Sequence, residues 1–98
     1  MFVNTDNKLI WKNGSFEKWD DSNVHILSHT LHYGTGVFEG VRAYQSKNKS
    51  AIFRLDDHTK RLFNAASKIS IEIPFSQEEL NKAQCETLTK NNLDEGYL

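Results

Sequence analysis

Apolar and polar positions alternate in short runs over roughly the first half of the chain, then recur every three to four residues from Leu55 onward. The run "KLIWKNGSFEKW" sets two short apolar stretches on either side of Asn13-Gly14, a pair suited to a turn with positive φ at both positions, and predicts a β-hairpin. Trp11, Phe16 and Trp19 are its candidates for burial or half-burial. "NVHIL" predicts a short strand with Val24 and Ile26 facing one way. "LHYGTGVFEG", Leu31 to Gly40, is a glycine-rich bend leading into "VFEGVRAY", whose β-branched and aromatic content predicts a strand. "AIFRL" pairs with that strand across the polar loop Ser46 to Ser50, as a hairpin with a longer turn.

Beyond Leu55 the helical period takes over. Leu55, Leu62, Ala66 and Ile69, widened by Phe63, form an apolar stripe, and with Asp56 as N-cap they predict a helix from about Asp57 to Lys68. Pro74 biases Ile73 away from helical backbone, so "SIEIPF" is an extended link. Ser76 and Glu79 have capping-box spacing, and Phe75 with Leu80 occupy the positions of a hydrophobic staple. Leu80, Ala83, Thr87 and Leu88 continue one face until Asn91-Asn92 stops the second helix. "EGYL" has the look of a strand only begun, as in a domain cut within a sheet. The expected fold is α+β: residues 1–98 as one small domain, an antiparallel sheet with two helices on one face, truncated in its last strand.

Composition narrows the partners. Twelve basic residues against thirteen acidic ones give a net charge of −1, which offers neither nucleic acid nor an anionic membrane a reason to bind. A single cysteine, Cys85, supplies neither an internal disulfide nor a zinc framework. No apolar run approaches the roughly 18 residues of a membrane span, and "MFVNTDNK" lacks the basic and apolar regions of a secretion signal, so a reducing cytoplasm is expected.

Several residues carry chemistry worth weighing. The glycines at 34, 36 and 40 are spaced one residue too long for a dinucleotide fingerprint, and a strand follows where a helix is required. His25, His29 and His32 have helical spacing, but His25 falls in an expected strand, which favours structural histidines near a turn over a metal site. Only three arginines, Arg42, Arg54 and Arg61, stand among nine lysines. A guanidinium is a planar, permanently charged fork suited to phosphate or carboxylate; the plainer reading of Arg61 is a solvent-facing helix residue paired with Asp57 one turn earlier. Asp56-Asp57 is most simply a favourable pair at a helix N-terminus.

One segment goes further. "SHTLHYGTGVFEGVRAY" resembles the N-terminal signature of branched-chain amino acid aminotransferases, fold-type IV enzymes that use pyridoxal 5′-phosphate; "IWKNGSFEKWDDSNVHILSH", "FRLDDHTKRL" and "KNNLDEGYL" extend the likeness over nearly the whole chain. The D-amino acid aminotransferases and aminodeoxychorismate lyases share the layout but generally not this wording. The resemblance implies that Arg61 holds the cofactor's 5′-phosphate, that Phe38 and Gly40 wall the apolar substrate pocket, and that Tyr33 is donated across a homodimer interface. Glu39 and Arg42 border the same pocket. The implied reaction moves the amino group of leucine, isoleucine or valine to 2-oxoglutarate. It also implies that the Schiff-base lysine, the acid facing the ring nitrogen and the arginine for the substrate carboxylate lie outside this chain, so that the segment alone is inactive and binds cofactor weakly or not at all. A non-catalytic module for dimerisation or ligand binding is the reading from a different class.

Overall fold

The computed structural model describes residues 4–98, and its first feature is the expected hairpin: β1 (Leu9–Lys12) runs antiparallel to β2 (Ser15–Lys18), with Trp11 opposite Phe16. Asn13 and Gly14 turn between them at φ of 52° and 98°. Trp11 and Phe16 are half-buried, whereas Trp19, in the 3-10 turn Trp19–Asp21, is largely exposed at the rim of the cavity beside β1.

The next segment departs from expectation. Residues 23–27 form no strand: Val24, Ile26 and Leu27 are exposed, and alternation alone did not supply a neighbouring strand for the backbone to pair with. His25 sits in this stretch and accepts a hydrogen bond from Leu27 N–H through Nδ1 at 3.0 Å. A short helix, α1 (His29–Tyr33), follows and ends on Gly34, whose φ of 67° is a left-handed C-cap that a side chain would disfavour. His29 and His32 lie on α1 but His25 does not, so the three share no face.

Strand β3 (Arg42–Ser46) begins five residues later than "VFEGVRAY" suggests, and β4 (Lys49–Ile52) ends before Phe53. Their connection is tighter than expected: Lys47 and Asn48 alone make the turn, at φ of 43° and 65°, as in a two-residue hairpin. The last strand, β5 (Gly96–Tyr97), pairs antiparallel with the other side of β3. Val41 and Leu98 extend that pairing by exchanging backbone hydrogen bonds of 3.0 and 2.9 Å. The strands thus lie in two antiparallel sheets, the β1-β2 hairpin and a three-stranded sheet ordered β4-β3-β5.

Two fourteen-residue helices pack against one another, α2 (Leu55–Lys68) and α3 (Gln77–Lys90), and α3 rests on β1. The capping box of α3 is complete: Glu79 N–H donates to Ser76 Oγ at 3.0 Å and Ser76 N–H donates to the Glu79 carboxylate at 2.6 Å. Phe75, expected to staple onto Leu80, meets the Trp11 ring edge-on at 5.0 Å and so ties the helix start to the hairpin. The N-cap of α2 is Arg54, not Asp56, and no side chain caps it. Asp56 instead accepts from Asn81 Nδ2 of α3 at 2.6 Å. Asn81 in turn accepts from the buried Thr59 hydroxyl.

The buried core is made of small or slender residues, Val41, Ala43, Ala66, Ala83 and Leu88, which let the helices approach closely. Ile69, placed on the apolar stripe from sequence, lies past the end of α2 and is exposed. Asn91, the C-cap of α3, reaches β1 with both ends of its amide: it accepts from Leu9 N–H at 2.8 Å and donates to Leu9 O at 3.0 Å. Between β1, α3 and β5 the core opens into a cavity of about 640 Å³, lined by Leu9, Trp11, Leu80 and Leu88 among others, with Glu39 and Tyr97 also on its wall.

Candidate functional site

His58 and Arg61 are three residues apart on α2, which sets both on one side of the helix. Facing them is Glu39, on the segment that leads into β3. Arg61 donates through Nε to Glu39 Oε2 at 2.6 Å and through Nη2 to Oε1, a side-on bidentate pair. His58 Nδ1 lies 3.0 Å from Oε1, and Gly40 N–H donates to the same oxygen at 3.2 Å. An ionised carboxylate can only accept, so His58 carries its proton on Nδ1 here.

The pair is asymmetric, with the Glu39 side chain 10% exposed and that of Arg61 70% exposed. The Arg61 hydrogen bond, then that of His58, draws the Glu39 carboxyl from its ordinary 4.5 down to about 2, and Arg61 is raised in return. Because the folded value lies below the unfolded one, this pairing stabilises the fold fully above about pH 4.5 and is lost as pH falls toward about 2. A carbon-detected NMR titration of the Glu39 carboxyl should therefore give a midpoint near 2. A midpoint near the ordinary 4.5 would mean that the pair does not form in solution.

The first two turns of α2 also border a recess of about 300 Å³, lined by Phe53, Arg54, Asp57, His58 and Arg61. Arg54 donates to Asp57 at 2.9 Å; Asp57 is thus the partner of Arg54 and not of Arg61. Among the described residues Arg61 Nη1 makes no hydrogen bond, so the outer edge of the fork remains available. Two guanidiniums beside a small recess are a donor set that fits a phosphate ester.

Gly40 lies beside this group for a different reason. A Cβ placed on it would stand 2.8 and 2.9 Å from Cζ and Cε1 of Tyr97, whose hydroxyl is nearer still. The sequence marks Tyr97 only indirectly, through a glycine at position 40 within a predicted strand. Arg42 is directly opposite Tyr97 in the β3–β5 register, and its guanidinium lies 5.5 Å from the centre of the Tyr44 ring. Glu39, Gly40, Arg61, His58 and Tyr97 are brought together. Tyr33 and Phe38 stand open to solvent, 76% and 94% exposed, and Tyr33 is stacked edge-on with His29. Among the described residues no group of three His, Cys, Asp or Glu is placed to hold a metal ion, and no helix is long and apolar enough to cross a membrane.

Two antiparallel sheets, two packed helices and a small recess lined by two arginines define a small α+β domain with a candidate anion site. Residues 36–98 match the family described as amino-transferase class IV, and the chain belongs to that family. The branched-chain amino acid aminotransferase of Pseudomonas aeruginosa is 48% identical over 90 residues, covering 92% of this chain and 29% of that protein. The Escherichia coli branched-chain amino acid aminotransferase structure superposes with a TM-score of 0.89 at 41% identity, over 93% of this chain and 31% of that one. The T.th. branched-chain enzyme, solved with N-(5′-phosphopyridoxyl)-L-glutamate, gives a TM-score of 0.90 at 46% identity, over 93% of this chain and 30% of that one. The chain therefore spans less than a third of the length of these relatives.

Proposed function

We propose that this chain is the small domain of a pyridoxal-phosphate-dependent branched-chain transaminase, working in the cytoplasm as a homodimer and completed by residues outside the 98 present here. The observation that carries the cofactor part is the outer fork of Arg61 beside the α2 recess. The substrate class rests on relatives of 41–48% identity that are named for it. When bound, pyridoxal phosphate acts as the electron sink for amino-group transfer.

This chain's own residues bind and orient. Arg61 grips the phosphate with two directional donors, which fixes the position of the ring beyond it. Phe38 and Gly40 contribute the apolar wall for a branched side chain, and the Tyr97 ring against Gly40 narrows the space next to it. Arg42 borders that space, and Glu39 stands next to it with its carboxylate paired to Arg61. Tyr33, exposed on α1, serves the site of a second subunit in this reading, as the family likeness implies. No lysine of this chain is assigned to catalysis, so the segment alone is inactive.

The test uses the full-length protein that carries this segment. Given pyridoxal phosphate, 2-oxoglutarate and leucine, isoleucine or valine, it should form glutamate in a coupled assay. Turnover of a D-amino acid, or lyase activity on aminodeoxychorismate, would move the assignment to another fold-type IV enzyme. No turnover and no absorbance from bound cofactor would favour a non-catalytic module.

A further inference from the structure

We infer that Glu39 is not a wall of the substrate pocket but the residue that positions Arg61 for the phosphate. This rests on the phosphate reading of Arg61 above. An arginine on a helix surface, with a side chain 70% exposed, would ordinarily sample many rotamers and lose that freedom on gripping an anion. Here the Nε and Nη2 edge is already taken by Glu39, and because the guanidinium is planar, holding one edge fixes the plane of the other.

Glu39 can do this because it is held itself. Its Oε1 receives the Nδ1 proton of His58 and the N–H of Gly40 besides Arg61, and its side chain is almost wholly covered. A carboxylate with every near donor spent in this way is poorly placed to meet a branched side chain, which would gain nothing from a desolvated charge. Its negative charge does oppose an incoming phosphate, so geometry and charge push in opposite directions. Geometry prevails, because the bidentate hold fixes the plane of the guanidinium while leaving its outer edge to the phosphate.

The experiment compares dissociation constants for pyridoxal 5′-phosphate and for pyridoxal, which lacks the phosphate, in the cofactor-stripped full-length protein. Glu39→Gln should weaken pyridoxal phosphate about tenfold and leave pyridoxal within about twofold. Arg61→Lys keeps the charge but removes the fork; in that background Glu39→Gln should add less than about twofold, because the two residues act as one unit. Equal weakening of both ligands, additive losses, or tighter phosphate binding by Glu39→Gln would each overturn the positioning role. Glu39→Asp, which keeps the charge but is one methylene too short for both bonds, should show a smaller phosphate-selective loss; a non-selective one counts against the inference. If Arg61→Lys itself shows no phosphate selectivity, the phosphate reading of Arg61 fails, and the positioning role with it.

Discussion

Gly40→Ala in the full-length protein is expected to reduce kcat/KM for leucine by about 10- to 100-fold while lowering stability by less than about 1 kcal/mol. The split follows from what the new methyl group meets. The atoms within 3 Å of it are the far end of the Tyr97 ring, which is largely exposed and can swing aside. Gly40 is not among the residues with positive φ, so its backbone accepts alanine without strain. The fold therefore absorbs the change, but the ring leaves the position that narrows the site. A displacement of the order of 1 Å in a substrate-contacting group is enough for a loss of this size. Steady-state kinetics with a parallel thermal melt would check it. A clear drop in Tm with kcat/KM unchanged would mean that Gly40 serves packing alone.

What was legible in the sequence was what short-range chemistry decides. The Asn13-Gly14 turn and the Ser76/Glu79 capping box appear as expected, because each is settled within four residues. The strand expected at 23–27 fails for the opposite reason: alternation describes a face, but a strand also needs a neighbour, and none lies alongside. Asp56 had the residue type and place of an N-cap, yet Asn81 of α3, 25 positions away, offered it a partner. The turn between β3 and β4 was hidden because Lys47 is an unusual choice for positive φ.

The site divides in the same manner. Residue type and family likeness mark Arg61, but helical spacing points to Asp57, one turn away, as its partner. The partner is Glu39, 22 residues distant, and no local rule joins the two. Tyr97 carries no signal of its own in the sequence, because a strand residue of β-favouring type needs no other explanation, yet its ring lies against Gly40.

Of the three arginines, the structure distinguishes one sharply enough for a second large effect. Arg61→Ala should weaken binding of pyridoxal phosphate to the full-length protein by roughly 30- to 150-fold, since hydrogen bonds to a charged group contribute about 2–3 kcal/mol. The loss should lie toward the upper end, because the variant also strands the Glu39 carboxylate, leaving a covered negative charge close to the phosphate. Arg54→Ala should matter several-fold at most. Arg54 also borders the recess, but it is spread over Asp57 on the open surface, where such a pair contributes about 0–1 kcal/mol. Arg42 is held over the Tyr44 ring on β3 and does not border the recess, so Arg42→Ala should leave cofactor affinity unchanged and act on substrate KM instead. Equilibrium dialysis of the three variants against the cofactor gives the ranking directly. Equal losses at Arg54 and Arg61 would mean that the recess attracts the phosphate by net charge, and not through the directional grip of one guanidinium.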